Sequence, residues 1–393
     1  MKSPRWLVLI ALLLAAVALL ELSAISPRLF QRQTLYLALA LLTLGVTARI
    51  PLRVWKYTMP VLYGLGLLSL ALVLFVGRGA GAQRWIPLGP FHWQPAETMK
   101  LLLILTLAYG YERRNDTWQM LKMGVLTLLP MGLVLLEPDL ATALTYFVIY
   151  AAVSLVMGRN LVLLLFLTLP PLAVAFSFNP WSFVVFLGVV LILLYVVRVS
   201  PGHGLLLVFL VTAVGLLSPV LVDHLLHDYQ KARIVAFLNP EKYRQGPGWQ
   251  TLQARIALGS GGLLGKGYRQ GTQKGLAFLP EAHTDFIFTS IGEEFGFVAT
   301  AMVMFLFVLF FWGLASWADT LESPVFRGIA AGVLGFFLYH TATNLATNLG
   351  MFPVTGIPLP FMTYGGSHLI TEFAALGVLL RVAREAREPR FSW

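Results

Sequence analysis

The residue best suited to chemistry in this chain lies where a polar run meets an apolar one. Asp285 ends the polar residues 280–285, and the apolar residues 286–288 follow directly. A carboxylate at such a border can accept a proton from a hydroxyl group. Asp also caps helices well, so the N-cap of the next helix is an equal alternative. His283 is a candidate partner, although a single histidine usually has a structural role.

Glu97 and Lys100 form a second candidate pair at the start of an apolar segment. They lie three positions apart, so in a helix both side chains share one face and can form an ion pair. Pro95 precedes them, and a proline followed by an acidic first turn is typical of any helix N-terminus. A structural pair at a helix start and a functional pair both stay open.

Further carboxylates lie beside or inside apolar segments. Glu137 and Asp139 flank a proline in a tight turn, where they could bind a cation or cap the next helix, and capping is favoured. Glu293 and Glu294 are adjacent, and neighbouring helical side chains point about 100° apart. At least one of them must therefore face protein or a water-filled cavity.

Two glycine-rich segments each allow a structural and a functional interpretation. Residues 257–267 (ALGSGGLLGKG) include Lys266, and exposed N–H groups beside a lysine could cradle a phosphate. The spacing of a Walker motif is absent, so flexible turn geometry is favoured. Residues 363–367 (TYGGS) could line a cavity or re-enter the membrane edge. No histidine set at metal-ligand spacing and no Ser-His-Asp arrangement is supported.

The composition indicates which elements must position these residues. Of the 393 residues, 58% are hydrophobic and 12% are charged, about half the charged share of a soluble domain. Apolar runs long enough to cross a hydrocarbon core of about 30 Å recur along the chain. The sequence predicts an all-α polytopic membrane protein with about 10–12 transmembrane helices and one domain, residues 1–393. The absence of cysteine excludes disulfides and thiolate chemistry.

Basic residues predict how the chain crosses the membrane. The candidate spans are residues 6–25, 34–47, 59–76, 98–111, 120–136, 141–157, 161–176, 181–197, 205–222, 286–312, 328–348 and 369–382. Lys and Arg stay on the cytoplasmic side, and clustered arginines in the short connections and the tail predict that both termini are cytoplasmic. This topology accounts for the formal charge of +10 without nucleic acid as a partner.

Nearly all the unusual residues then face the outside. The outer segments are residues 77–96, 137–139, 223–285 and 351–368. The large loop 223–285 can hold structure of its own, and residues 227–238 predict an amphipathic interfacial helix. The first apolar segment could be a signal peptide, but Glu21 and the lack of a small-residue cleavage site favour an uncleaved anchor.

Five ordered motifs resemble the SEDS family (shape, elongation, division and sporulation), polytopic bacterial peptidoglycan polymerases, over nearly the whole chain. The motifs are residues 81–86 (GAQRWI), 94–100 (QPAETMK), 137–143 (EPDLATA), 279–288 (LPEAHTDFIF) and 353–367 (PVTGIPLPFMTYGGS). Residues 265–273 and 353–358 are similar to the elongation member rather than the division member. Ala96 and His368 depart from small polar residues of the family pattern, and residues 157–222 hold two extra hydrophobic segments.

The resemblance implies a peptidoglycan glycosyltransferase of the bacterial inner membrane. Such an enzyme polymerises lipid II, the undecaprenyl-diphosphate-linked disaccharide pentapeptide, with inversion, and the resemblance makes Asp285 the general base. The implied substrate contacts are Arg84, Trp85, Glu97, Lys100, Lys266, His283 and Ser367. A divalent cation, Mg or Mn, would suit the diphosphate, with Glu137 or Asp139 as candidate ligands, although no ligand set identifies a site.

The resemblance also implies partners. A class B penicillin-binding protein would cross-link the glycan, and further membrane proteins of the elongation complex would join it in cell-wall elongation and rod shape. A lipid II flippase or transporter also has many spans with buried carboxylates. Its site should lie near mid-membrane, whereas the unusual residues here concentrate at one face. A scaffold that recruits cell-wall enzymes and a role in cell division also stay open.

Overall fold

The computed structural model describes residues 4–77, 84–89, 91–112, 116–157, 161–177, 180–225, 237, 248–275 and 279–387. The chain divides into two compact units, Gly158–Ala232 and the remainder, Met1–Met157 with Arg233–Trp393. The remainder, called the larger unit below, contains every predicted site residue. The single domain predicted over the whole chain stays a prediction. The predicted amphipathic helix 227–238 lies outside the described residues apart from Phe237.

Helices make up almost all of the described chain. In order they are α1 (Arg5–Ile25), α2 (Pro27–Thr47), α3 (Leu52–Val76), α4 (Pro95–Glu112), α5 (Thr117–Leu136), α6 (Leu140–Val156), α7 (Leu161–Phe176), α8 (Pro180–Val196), α9 (Pro201–Leu225), α10 (Gly248–Ser260), α11 (Thr272–Gly275), α12 (Ile287–Asp319), α13 (Pro324–Asn348) and α14 (Gly366–Glu385). Each of the twelve predicted spans overlaps one of these helices. The predicted all-α, polytopic membrane fold is confirmed.

Helix length alone does not fix the number of membrane crossings. Within the described residues, eight helices are long and apolar enough to cross a membrane. α6, α7 and α8 have 17, 16 and 17 residues. At about 1.5 Å per residue such helices reach about 25 Å, just short of a core of about 30 Å. The crossing count of about 10–12 therefore stays a prediction.

Apolar side chains point outward from the helices, as lipid contact requires. On α3, Leu65, Leu68, Leu72 and Phe75 are all exposed. A soluble protein would bury this stripe or replace it with polar residues, because exposed apolar area in water is costly. Helices suit this surface because they satisfy their backbone hydrogen bonds internally, as a hydrocarbon environment demands.

The segment before α4 contains a short β-hairpin, which the sequence analysis did not predict. Strand β1 (Ile86–Leu88) pairs antiparallel with β2 (Phe91–Trp93). Gly89 in the connection has φ 64°, a conformation that glycine adopts without strain. Each strand has three residues, too few for an alternating pattern to distinguish a strand from a loop.

α14 packs closely along α2. A Cβ atom at Gly377 would lie 2.0 Å from Thr47 Oγ1 and 2.6 Å from Leu44 O, so a side chain there would clash. Thr47 Oγ1 also lies 3.2 Å from the Ala374 carbonyl, to which it donates. Small residues at such contacts let membrane helices approach each other. This contact fixes α14, whose first turn carries Ser367.

α12 is long and kinked. It has 33 residues and a non-helical residue at Gly296, with φ 75° and ψ −169°. A straight helix of that length would reach about 50 Å, well beyond a hydrocarbon core of about 30 Å. The stretch before the kink, which carries Glu293 and Glu294, is therefore packed against protein rather than continuing a straight span.

The smaller unit consists of α7, α8 and α9 in its described part. These helices share a core of buried apolar side chains: Leu165, Leu169, Ala173, Phe183, Phe186, Val190, Leu194, Leu207 and Val211. A Cβ atom at Gly215 would lie 2.3 Å from the Phe183 ring, so α8 and α9 approach closely there. The unit has an apolar core of its own and none of the predicted site residues.

Candidate active site

Asp285 lies near the end of a tight turn, residues 279–286, that leads into α12. The N-cap position of α12 is Phe286, whose side chain makes no capping hydrogen bond. Asn348 takes that role, because its Oδ1 accepts from Thr289 N at 3.0 Å and Thr289 Oγ1 at 2.7 Å. Asp285 therefore lies one residue before the N-cap position of α12.

Two asparagines at the end of α13 hold the backbone of Asp285. Asn344 Nδ2 donates to the Asp285 carbonyl at 3.2 Å, and Asn348 Nδ2 donates to it at 2.8 Å. Both asparagines are buried. The sequence analysis missed them. Their spacing of four within an apolar segment was the available signal, because buried amides are costly unless they are hydrogen-bonded.

The Asp285 side chain is partly exposed and lies beside the loop that precedes α14. A Cβ atom at Gly356 would be 4.0 Å from Asp285 Oδ2. Gly356 has φ 77°, a conformation that other residues rarely adopt. Glycine thus serves the turn and also leaves free volume next to the carboxylate.

The loop before α14 is tied to the turn by further hydrogen bonds. Tyr364 N donates to the His283 carbonyl at 3.0 Å, and Thr363 Oγ1 donates to the Thr284 carbonyl at 3.3 Å. The rings of His283 and Tyr364 lie 5.5 Å apart between centroids. Thr363 and Tyr364 are therefore tied to the turn that carries Asp285, and the cavity and re-entrant interpretations of this segment both stay predictions.

The first turn of α14 is joined to the start of α4. Ser367 Oγ accepts from Gln94 N at 3.0 Å and lies 3.3 Å from the Gln94 carbonyl. Trp85 is partly buried and lies just before β1, whose partner β2 ends next to Gln94. The structure thus brings Ser367, Trp85 and the beginning of α4 to one region of the larger unit.

Glu97 and Lys100 form the predicted ion pair, in a fully buried position. Lys100 Nζ donates to Glu97 Oε1 at 2.6 Å, and the side chains are 0% and 4% exposed for Lys100 and Glu97. Lys100 Nζ is also 3.2 Å from His340 Nε2, which lies 3.3 Å from Thr145 Oγ1. Such burial means that neither side chain lies on an open surface.

Arg84 links the hairpin segment to the turn between α5 and α6. Its Nη1 lies 3.5 Å from Asp139 Oδ2, and its Nη2 donates to the Pro138 carbonyl at 2.7 Å. Asp139 is the N-cap of α6 and accepts from Thr142 N at 3.1 Å. The capping interpretation is confirmed for Asp139, and the same carboxylate orients Arg84.

Glu137 differs from its neighbour. Its carboxyl is buried, and neither oxygen has a hydrogen-bond partner within the described residues. Burial raises the pKa of Glu137 to about 8, Asp139 raises it further, and Arg84 opposes the shift. A cation ligand must be deprotonated. Among the described residues no group of three or more His, Cys, Asp or Glu could hold a metal ion, and a site at Glu137 or Asp139 stays a prediction.

Lys266 lies in a different cluster, where its Nζ contacts Glu293 Oε1 and Thr272 Oγ1, both at 2.7 Å. The glycine-rich run around it docks on α12, because Lys266 N and Gly267 N donate to the carbonyls of Glu293 and Glu294 at 3.1 and 2.9 Å. These N–H groups are already satisfied by protein. The phosphate-cradle interpretation is therefore wrong for them.

Two buried groups on α14 support the loop that contacts Asp285. Glu372 Oε2 accepts from Phe361 N at 2.8 Å, and Phe361 has the unusual φ of 66°. His368 Nε2 lies 2.9 Å from the Thr363 carbonyl. The sequence analysis did not propose a role for Glu372, although an acidic residue inside an apolar segment was the signal for one.

These features together define what the site can do. A partly exposed carboxylate is fixed at its backbone and lies beside Gly356. Such a carboxylate can take a proton from a hydroxyl group at hydrogen-bonding distance. The buried side chains of Glu372 and His368 hold the neighbouring loop in place.

Comparison with known proteins identifies the family. A family model described as cell cycle protein, for FtsW, RodA and SpoVE, matches residues 5–186 and 179–388. The chain belongs to the SEDS family. Its SEDS relatives include the peptidoglycan glycosyltransferase RodA of Treponema pallidum (strain Nichols), which is 36% identical over 349 residues, 77% of this chain and 77% of the relative.

Other SEDS proteins extend the match to the whole chain. A relative with the name FtsW from Trichlorobacter lovleyi is 32% identical over 363 residues, 90% of this chain and 83% of the relative. A solved structure of a peptidoglycan synthase complex that coordinates polymerization and crosslinking matches with a TM-score of 0.74 and 30% identity. It covers 99% of this chain and 100% of that one. The protein is thus a multi-pass protein of the bacterial inner membrane.

Proposed function

We propose that this protein polymerises lipid II into glycan strands, with Asp285 as the catalytic base. It is an enzyme of the peptidoglycan glycosyltransferase class, as its SEDS relatives are named. The observation that carries the proposal is the position of Asp285. Its backbone is fixed by Asn344 and Asn348. Asn348 also accepts from Thr289 in the first turn of the helix that follows.

The proposed reaction is a direct displacement at the anomeric carbon. The 4-hydroxyl oxygen of the acceptor GlcNAc forms a bond to the donor anomeric carbon as the bond to the diphosphate oxygen breaks. The Asp285 carboxylate takes the hydroxyl proton, and the diphosphate departs with the bonding electrons. A single displacement inverts the configuration and needs a base but no covalent intermediate.

The remaining predicted residues then have separate tasks. Arg84 offers a cation near the turn between α5 and α6, and we assign it to the diphosphate. His283 lies two positions before the base, and with Trp85 and Ser367 it would contact the sugars or the head group. The buried pair of Glu97 and Lys100 would hold the start of α4 in place.

A divalent cation stays a proposal that the described residues do not support. The raised pKa of Glu137 works against cation binding, and Asp139 already lies 3.5 Å from Arg84 Nη1. No step is therefore assigned to a metal. Polymerisation after EDTA treatment, followed by addition of Mg or Mn, tests the requirement.

A class B penicillin-binding protein is the proposed partner. The solved structure that matches with a TM-score of 0.74 is of a complex that coordinates polymerization and crosslinking. The described helices include no soluble cross-linking domain, so cross-linking would come from another chain. Co-purification with such a protein tests the proposal, and full activity alone with no such partner contradicts it.

The elongation role, rather than division, is the finer proposal. It rests on residues 265–273 and 353–358, which are similar to the elongation member. Relatives named RodA and FtsW both match this chain, at 36% and 32% identity. Complementation of strains depleted of the elongation or the division protein tests the choice, and rescue of division alone contradicts it.

One assay separates polymerase from carrier. Purified protein receives labelled lipid II in detergent and in vesicles, without an energy source. Long glycan supports the proposed function. Transbilayer movement of lipid II without polymer would favour a flippase. The absence of both polymer and movement would favour a scaffold. Asp285→Asn protein is the matched control for polymer made by a contaminant.

A further inference from the structure

We propose that Lys266 and Glu293 form a clamp that positions the Asp285 turn, and that Lys266 does not bind substrate. Lys266 is therefore a positioning residue for the proposed transfer, on which this inference rests. The evidence is a chain of contacts that runs from the ion pair to the turn.

The ion pair has a shared acceptor at its centre. Glu293 Oε1 accepts from Lys266 Nζ at 2.7 Å, from Thr272 Oγ1 at 3.0 Å and from Gln273 N at 3.0 Å. The Glu293 side chain is 0% exposed and that of Lys266 is 23% exposed. One carboxylate oxygen thus joins α12 to the first residues of α11, with Lys266 neutralising the buried charge.

The glycine-rich run locks this region to the kink of α12. Phe297 N donates to the Gly262 carbonyl at 2.9 Å, and Val298 N donates to the Leu263 carbonyl at 3.1 Å. A Cβ atom at Gly265 would lie 2.1 Å from the Glu294 carbonyl oxygen. Glycine is required because two backbones meet, which places Lys266 beside Glu293.

The clamp continues into the turn that carries Asp285. Leu279 N donates to the Gln273 carbonyl at 3.2 Å, and Phe286 N donates to the Glu281 carbonyl at 3.2 Å. An apolar cluster packs this turn against α10 and the Gly356 loop: Ala254, Leu279, Ala282, Phe286 and Val354. Displacement of Gln273 would therefore shift the turn at Leu279, while the apolar cluster still holds the rest of the turn.

A substrate role for Lys266 would have a different consequence. A diphosphate would have to draw Nζ away from Glu293, which would leave a buried carboxylate without its cation. That loss is costly because a desolvated charge is left unpaired. The two roles therefore predict different effects of neutralising Glu293. A clamp predicts a lower kcat, and a substrate contact predicts normal activity.

The experiment compares kcat and KM for lipid II in Lys266→Met, Glu293→Gln and the double variant. A clamp predicts that each single variant lowers kcat roughly ten- to a hundredfold with KM nearly unchanged, and that the double variant is no worse than either. Lys266→Arg should retain most activity. A raised KM in Lys266→Met with normal Glu293→Gln would overturn the proposal.

A milder variant covers the case in which these proteins do not fold. Thr272→Val removes hydrogen bonds to Lys266 and Glu293 and leaves both charges in place. The clamp predicts a lower kcat, whereas a substrate contact predicts no change. Lys56→Met is the matched control, because it breaks an exposed ion pair with Glu112.

Hydrogen exchange separates failure of the clamp from failure of the proposed function. Amide exchange in residues 279–286 should be faster in Lys266→Met than in wild type, with or without polymerase activity. Unchanged exchange there, in a folded variant, would contradict the clamp. If wild-type protein makes no glycan, the proposed function fails, and the exchange result still tests the clamp.

Discussion

The two ends of α4 carry ion pairs of equal length in opposite surroundings. Lys100 Nζ and Glu97 Oε1 are 2.6 Å apart, with side chains 0% and 4% exposed. Lys56 Nζ and Glu112 Oε2 are also 2.6 Å apart, with side chains 42% and 41% exposed. An exposed pair adds little stability, and a buried pair is a poor way to gain it. We infer that the buried pair is retained for the site.

Other polar groups are likewise buried near the first pair and partly exposed near the second. Near the buried pair, His340, Glu137 and Glu372 are all buried. Towards the other end, Arg381 and Glu385 pair at 2.7 Å and remain partly exposed. Costly desolvation is therefore concentrated at one end of the larger unit, the end that also holds Asp285. The predictions that follow change one end at a time.

The largest expected difference is the side of the membrane that each end faces. The chain has no cysteine, so single cysteines report accessibility without background. Ser26→Cys, between α1 and α2, should react with an impermeant maleimide added outside intact cells. Thr117→Cys, at the start of α5, should react only after permeabilisation. The reverse pattern would contradict the predicted cytoplasmic termini.

Removal of one buried partner should have the next largest effect. Lys100→Ala leaves Glu97 desolvated and unpaired, so we expect a loss of about 3–5 kcal/mol in the free energy of unfolding, with loss of polymerisation. Thermal unfolding in detergent and the lipid II assay measure the two effects.

The double variant Glu97→Ala/Lys100→Ala separates stability from function. It removes both charges, so much of the stability should return. We expect polymerisation to stay low, because the start of α4 loses its buried pair. Recovery of wild-type polymerisation would show that charge balance was the only role of the pair.

Glu137 should give a smaller effect that depends on pH. Its folded pKa of about 8 lies above the ordinary value of 4.5, so the folded protein binds the proton more tightly than the unfolded chain. Wild-type stability should therefore fall as pH rises from about 4.5 towards about 8. Glu137→Gln should match wild-type stability below pH of about 4.5, where the wild-type carboxyl is neutral in both states, and should not show this fall at higher pH.

Thermal unfolding across that pH range measures the Glu137 effect. Glu322→Gln, at an exposed carboxylate, is the control and should keep the wild-type pH profile. A Glu137→Gln profile identical to wild type would mean that the Glu137 carboxyl is not neutral in the folded protein.

The exposed pair should give the smallest effect. Lys56→Ala should change the free energy of unfolding by roughly 0–1 kcal/mol, with polymerisation unchanged. Any change should shrink at high salt, which screens exposed charges. A loss of activity similar to that of Lys100→Ala would erase the distinction between the two ends.

Local features of the sequence predicted the helices well because lipid imposes long apolar runs. Each predicted span coincides with a helix, and the pairing of Glu97 with Lys100 followed from spacing on one face. The β1–β2 hairpin was missed because its strands have three residues each. For residues 257–267 turn geometry was favoured over a phosphate cradle, but glycine composition alone does not say whether a ligand or a backbone approaches.

Contacts between distant segments could not be predicted from one sequence. Asn348 caps a helix 59 positions away in sequence at Thr289, and Lys100 meets His340 across 240 positions. No local pattern encodes such pairs. Asp285 was singled out by its position at a polar border, and its role as the base stays a prediction.

The most direct test of the central claim is the polymerisation rate of purified Asp285→Asn protein with labelled lipid II. Asn keeps the size and polarity of the side chain and removes the base. We predict a folded protein that still binds lipid II and polymerises it about 10²–10⁴-fold more slowly. A folded, substrate-binding variant that makes glycan at the wild-type rate would contradict the account and place the base elsewhere.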